Sequence, residues 1–308
     1  MAYNVLSLDG GGIRGIVSVV LLERLSQAPG LEGWLDRVHL FAGTSTGGLI
    51  SIGLAAGLSL GELRQLYERD GPRIFKDSTF DDIKDLGKLI GADYETDELE
   101  RVLERILGAR RLGDLSKRVL VSAFDLDNGA ADPSARRWKP KLFHNFPGED
   151  SDAAVLARRA ALYTSAAPTY FPTVDGYVDG GVFAPNPSMC ALAQTQDPRT
   201  GEAVELGTVR LLSIGTGESL LRVEGDRLDW GYAQWARPLV DLMLQGVSGI
   251  AHFQCSQILR DRYHRLAPVF PPGTDFDMDD AGRIPEMIEF AGQVDVGPAA
   301  SWIRANFL

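Results

Sequence analysis

The sequence predicts an α/β fold: three α/β/α layers around a mostly parallel central sheet. Three observations carry the prediction. Short apolar runs alternate with helical patterns almost throughout, and several of those runs end in glycine-rich turns that lead straight into a helix. The chain is also long enough, at 308 residues with 44% hydrophobic and 24% charged, to bury a substantial core. Residues 1–308 read as one such domain.

Tyr3 to Leu8 is the first strand and stops at Asp9-Gly10-Gly11-Gly12. From Ile13 a helix places Ile16, Val19, Val20, Leu22 and Leu25 on its inner face. Val38 to Ala42 is the next strand, which completes a βαβ unit. Leu49 to Ala56 is apolar all round, the pattern of a central helix. Ser59-Leu60-Gly61-Glu62 is a capping box opening a helix through Arg69. Phe75 to Tyr94, with Gly87 and Gly91, reads as loops and short helical turns. Asp97 to Leu107 is amphipathic, with Leu99, Val102, Leu103 and Ile106 inward.

Val119 to Phe124 is a buried strand and Lys141 to Phe146 another, separated by the loop Asp127 to Pro140. Ala153 to Ser165 is an alanine-rich helix closed by Ala166-Ala167-Pro168. Val174 to Val178 is strand-like and stops at Asp179-Gly180-Gly181. Val209 to Ile214 is the last strong strand, followed by helix from Tyr232 to Arg262 and a short terminal helix, Ala299 to Leu308.

The formal net charge of -11 argues against a nucleic-acid polymer as partner and against general attraction to anionic lipid, so any membrane contact is local and transient. Cys190 and Cys255 read as two reduced, buried thiols, with no metal and no disulfide scaffold implied. The first residues lack the features of a secretory signal, so the expected location is cytoplasmic, peripheral at the inner membrane face.

Chemistry concentrates in Gly43-Thr44-Ser45-Thr46-Gly47-Gly48. A strand that turns into a helix within so few residues strains the corner residue, and Gly43 and Gly47 remove the side chains that would clash. This is the G-x-S-x-G nucleophile elbow, with the Ser45 hydroxyl at a helix N-terminus. Other readings compete. Leu40 to Gly61 carries no charge and is long enough to span a bilayer, but a turn-like cluster breaks it. A Walker loop needs Lys where Leu49 stands. A plain Gly/Ser turn needs no chemistry at all.

Gly10-Gly11-Gly12-Ile13-Arg14-Gly15 formally matches the dinucleotide fingerprint G-x-G-x-x-G, which would make the chain an oxidoreductase. That reading needs an acid at the end of the following strand. Asp36 falls near the usual spacing from the glycines but precedes the strand, so the ribose contact is missing. Three successive glycines can instead converge their N–H groups on one oxygen as an oxyanion hole. Arg14 either meets an anionic group of the substrate or braces the loop.

A serine nucleophile needs a base. His39, His252 and His264 lack a suitable context, and His144 is the best placed of the four histidines. Asp179 ends a strand and precedes two glycines, which in a parallel sheet sets it at the same edge as Ser45. Burial would raise its pKa toward working range. Standing alone, Asp-Gly-Gly reads as a structural turn.

These motifs do not stand alone. Asp9 to Gly15, Gly43 to Gly47 and Asp179-Gly180-Gly181, in that order, resemble the patatin-like phospholipase family. The resemblance extends to Thr164-Ser165-Ala166-Ala167-Pro168-Thr169-Tyr170-Phe171 and to Ser213-Ile214-Gly215-Thr216-Gly217. It implies a serine esterase of the lipid acyl hydrolase type acting on phospholipid or other acyl lipids. Ser45 is then nucleophile, Asp179 base, and Gly10, Gly11 and Gly12 the oxyanion hole, with no cofactor. The resemblance to bacterial relatives in antiphage defence also allows an effector lipase gated by a cyclic nucleotide or a partner. Ala184-Pro185-Asn186-Pro187 departs from the paired asparagines of many relatives.

Asp275 to Asp280 with Glu286 imitates a calcium loop, but Asp280 occupies the position that requires glycine. Arg136-Arg137-Trp138-Lys139-Pro140-Lys141 is a basic, aromatic patch suited either to lipid headgroups or to a solvated hairpin tip.

Overall fold

Among the described residues, seven strands form one sheet. The computed structural model describes residues 2–75, 94, 96–220, 222–223 and 229–308, so most of the segment expected as loops between Phe75 and Tyr94 lies outside it. The strands are β1 (Tyr3–Leu8), β2 (Leu40–Thr44), β3 (Arg118–Asp125), β4 (Lys139–His144), β5 (Tyr177–Asp179), β6 (Val209–Ile214) and β7 (Tyr263–Leu266). The helices among the described residues are α1 (Gly15–Gln27), α2 (Thr46–Ala55), α3 (Leu60–Gln65), α4 (Gly71–Ile74), α5 (Asp97–Leu107), α6 (Ala157–Ser165), α7 (Ser188–Thr195), α8 (Tyr232–Leu259), α9 (Ile284–Gln293) and α10 (Gly297–Asn306). The expected capping box is present: Ser59 Oγ accepts from Glu62 N–H, and the Glu62 carboxylate accepts from Ser59 N–H.

The order β4-β3-β2-β1-β6-β7 is parallel from β3 to β7. Its two faces carry different residues of the same strands, as the alternation of side chains requires. Leu6, Leu8, Phe41, Leu212 and Ile214 face a large core shared with α1, α2, α5, α6, α9 and α10. Val5, Leu40, Ala42, Val209 and Leu211 face a smaller one closed by Ala191 and Leu192 of α7 and by Cys255 and Leu259 of α8. The result is three layers. Each fully buried Leu or Ile contributes roughly 2 kcal/mol.

Helix α2 explains the uncharged stretch that imitated a membrane span. Ile50 and Ile52 are fully buried in the larger core, and the helix is followed by a turn at Gly57 with φ 85°. No helix of the described residues is long and apolar enough to cross a membrane.

One expectation needs correcting. The strand ending at Asp179 is short and does not join the parallel array: β5 pairs antiparallel with β3, as β4 does. Strand β7 and helices α7 and α9 also escaped the sequence reading. In β7 the run Tyr263-His264-Arg265-Leu266 is too polar to look like a buried strand.

Strand β3 acts as a template. On one side β2 pairs with it as far as Thr44 opposite Ser122, and β5 takes over at the next residue, with Asp179 opposite Ala123. Strand β4 occupies the other side from Leu120 to Asp125. The end of β2 and the end of β5 therefore meet head to head, one residue step of about 3.3 Å apart along β3.

Candidate active site

Ser45 sits at that junction, between Thr44 and the first turn of α2. Its backbone has φ 54° and ψ −127°, a strained conformation for a residue with a Cβ. The surroundings hold it there. Ser45 N–H donates to Thr164 Oγ1 at 2.7 Å, and Thr44 Oγ1 lies 2.6 Å from both Ser122 Oγ and Ala184 O. A Cβ at Gly43 would come within 2.1 Å of Gly47 O, and one at Gly47 within 2.2 Å of Leu8 O, so both glycines are required by close backbone approach.

Asp179 is 4% exposed. Its Oδ1 accepts from Gly181 N–H at 2.6 Å, and its own N–H donates to Ala166 O at 2.9 Å. Burial pushes its carboxyl up to about 7, while hydrogen bonds from the Ser45 hydroxyl and Gly181 N–H act in the opposite direction. A buried carboxyl facing a serine hydroxyl is thus poised to change protonation near neutrality. A side chain at Gly180 would strike Ser122 Oγ at 2.2 Å, so this turn is pressed directly onto β3.

The glycine loop follows β1, whose Leu8 pairs with Gly43, so it stands beside the elbow. Its three N–H groups are not equivalent. Gly10 N–H already donates to Pro185 O at 2.9 Å, which removes it from the expected trio of donors. The Gly11 and Gly12 N–H groups have no protein partner among the described residues. Gly11 has φ 153°, and a Cβ there would meet Thr216 Oγ1 at 2.3 Å. Ile13 N–H donates to Met278 O at 2.7 Å, which pins the far side of the loop. The departing segment Ala184 to Pro187 is thus part of the support: Ala184 O and Pro185 O hold the elbow and the glycine loop.

Beneath the loop lies a clamp that sequence reasoning missed. The side chains of Arg265 and Asp9 are 8% and 9% exposed and form an ion pair of 2.7 Å. Arg265 also donates to Ser213 Oγ at 2.9 Å, and Ser188 Oγ bridges Ser7 Oγ and Ser213 Oγ at 3.0 Å each. Asp9 was visible as the residue opening the glycine motif. Its partner was not, because nothing local marks Arg265. Thr164 stood within the Thr164 to Phe171 segment without an assigned role.

Arg14 lies in the turn after the glycines. Its Nε is buried and has no partner among the described residues, and burial lowers its pKa against the opposing effect of Asp275, Tyr170, Asp241 and Asp277. The histidines are engaged elsewhere. His39 Nδ1 accepts from Asn4 N–H, His252 meets the Tyr263 hydroxyl, His264 stacks on Trp302, and His144 lies opposite Leu120 near the start of β3. In the supposed calcium loop, Asp275 accepts from the Ser219 hydroxyl and Asp279 from the Tyr94 hydroxyl.

A family model described as patatin-like phospholipase matches residues 6–192, more than half the chain, spanning the glycine loop, Ser45 and Asp179. The chain belongs to the patatin-like phospholipase family. Among curated patatin-like relatives it is similar to CotR of Bacillus subtilis, named for a hydrolase of sporulation, at 30% identity over 99% of this chain and 98% of CotR. It is similar to the cGAMP-activated phospholipase of Pseudomonas aeruginosa at 30% identity over 92% of this chain and 83% of that protein. It is also similar to patatin-like protein 2 of Arabidopsis thaliana, at 28% identity over 83% of this chain and 72% of that protein. As a patatin-like protein the chain is a carboxylic ester hydrolase of the lipid acyl hydrolase class.

Proposed function

We propose that the chain is a phospholipase A or lysophospholipase that cleaves acyl esters through a Ser45–Asp179 dyad, acting as one domain at a membrane surface. The observation that carries this is the Ser45 hydroxyl, on a strained elbow, facing a buried Asp179 carboxylate whose pKa is raised to about 7. As Ser45 Oγ attacks the ester carbonyl carbon, Asp179 takes its proton. The tetrahedral oxyanion accepts from the Gly11 and Gly12 N–H groups, which are unengaged among the described residues and adjacent to the elbow. The proton then passes to the leaving alcohol, which leaves an acyl ester on Ser45. Water, deprotonated by Asp179, releases the fatty acid. The Arg14 guanidinium, with its unpartnered Nε, receives the anionic part of the substrate.

The test is fatty-acid release from phospholipid vesicles and from a short soluble acyl ester. Ser45→Ala and Asp179→Asn should each lose about 10³-fold or more in kcat, with Ser45→Ala also losing labelling by a fluorophosphonate. Release of fatty acid by Ser45→Ala at the parental rate would overturn the reading. The cGAMP-activated relatives support a second reading, in which the same site is gated by a cyclic dinucleotide. Parental activity of the purified protein that no cyclic dinucleotide increases would exclude it.

A further inference from the structure

Helix α8 is longer than the layer it covers. Its 28 residues span about 42 Å at 1.5 Å per residue. The neighbouring strands β6 and β7 have six and four residues, about 20 Å at most. Among the side chains described, those that anchor it are Ala251, Cys255 and Leu259, buried in its carboxyl-terminal half. The helix descends from the carboxyl end of β6 to the amino end of β7, so its other half overhangs the sheet edge that carries Ser45.

That overhang includes Arg237 and Asp241 in its sequence but exposes an apolar stripe. Leu239, Leu242 and Met243 are 47%, 48% and 56% exposed, and Ile250 and Phe253 extend the same stripe at helical spacing. The whole run from Leu242 to Leu259 includes no Asp, Glu, Lys or Arg, in a chain that is 24% charged. A helix face meant for water normally carries charge. Trp230 and Trp235 pack edge to face, 5.2 Å apart, at the start of the helix, where tryptophans suit a headgroup boundary.

The inner side of the same segment belongs to the site. Asp241 acts on the charge of Arg14, and Ser248 accepts from Arg265 and Asn186 at 3.4 Å each. The stripe is therefore continuous with the mouth of the site. Its lack of charge, on a protein of net charge -11, matches net-neutral headgroups; a second copy of the chain or an anionic leaflet would bring like charges together. Trp138, 71% exposed at the tip between β3 and β4, projects from the same edge of the sheet.

We propose that the overhanging half of α8 docks on a phospholipid leaflet of net-neutral headgroups, with Leu239, Leu242 and Met243 entering the acyl boundary and the Arg14 mouth set against it. This gives biological meaning only together with the lipid hydrolase reading, so binding is measured on Ser45→Ala protein, which turns over no lipid. That protein should sediment with phosphatidylcholine vesicles, and salt up to about 0.5 M should not release it. Adding Leu242→Glu and Met243→Glu should weaken binding by about tenfold or more. With Ser45 intact, the glutamate pair should hydrolyse the short soluble ester within about twofold of the parent while losing vesicle hydrolysis. If the glutamates unfold the helix, Leu242→Ala with Met243→Ala gives the same readout at several-fold.

Three results would overturn the docking proposal. One is parental sedimentation of a folded glutamate pair. Another is binding that requires phosphatidylglycerol and yields to salt. The third is a stable dimer, seen by light scattering, that the variants dissociate without touching vesicle binding. Vesicle binding without any fatty-acid release by the parent would instead count against the hydrolase reading and leave docking in place.

Discussion

The two halves of the site are delivered by differently built parts of one sheet. Ser45 and the glycine loop come from the parallel array, where β1 and β2 are central strands covered on both faces. Asp179 comes from β5, three residues long, pairing antiparallel with the outer stretch of β3. The parallel part places its residue by backbone strain and glycine contacts. The antiparallel part places its residue by burial and a turn capped by Gly181 N–H. Position in a deep core is costly to disturb and tolerant of nothing larger than hydrogen at Gly47. Position at the end of a short strand is cheaper to shift, and a small shift suffices to separate an acid from a hydroxyl.

Alanine at the two contact glycines breaks this comparison most directly. Gly47→Ala drives a Cβ against Leu8 O and Asp9 O, between central elements, and should cost roughly 3 kcal/mol of stability or more in a denaturant titration. Gly180→Ala drives a Cβ against Ser122 and should cost roughly 1 kcal/mol, yet lower kcat about hundredfold by displacing Asp179. Equal stability losses in the two variants would erase the distinction.

The pH profile sharpens the chemical side. If Asp179 is the base, as proposed, it must be ionised to accept the serine proton, so activity should rise with pH through about 7. At pH 5 it should lie about hundredfold below its plateau, and in proportion to a single deprotonation. A profile flat between pH 5 and 8 would remove Asp179 as the titrating group.

The smallest effect is thermodynamic. Between about pH 4 and 7 the folded state keeps a proton on Asp179 that the unfolded chain has released, so stability falls as pH rises through that window. Above it, Asp179→Asn removes a buried charge and should raise stability by roughly 2 kcal/mol, about 4 °C in Tm at pH 8. At pH 4 the increment should vanish, which differential scanning fluorimetry at the two pH values checks.

Much of this was legible in the sequence, for a local reason. Gly43, Gly47 and the Gly10 to Gly12 run mark places where backbone meets backbone, and that requirement is written in adjacent residues. Strand β5 was harder. Val174 to Val178 signals a strand, but its direction depends on which edge of β3 remains free beyond Thr44, and that is set by the distant end of β2. The expected position of Asp179 came out beside Ser45 although the parallel-sheet route to it did not. The Asp9–Arg265 clamp joins residues 256 apart with no local mark on the second. The exposure of α8 was hidden as well, since an apolar pattern tells which face avoids water and says nothing about whether a layer covers it.

The head-to-head junction on β3 has a consequence in time. Ser45 and Asp179 lie far apart along the chain, with α2 through α6 and two strands between them, and β1, β2 and α2, which frame Ser45, are made long before β5 exists. At the usual pace of synthesis, on the order of ten seconds separate the two. Throughout that interval the nascent chain carries a serine with no base beside it. On the proposed Ser45–Asp179 dyad, this lipid acyl hydrolase would thus emerge from the ribosome inactive, and would gain activity no earlier than the docking of β5 on β3.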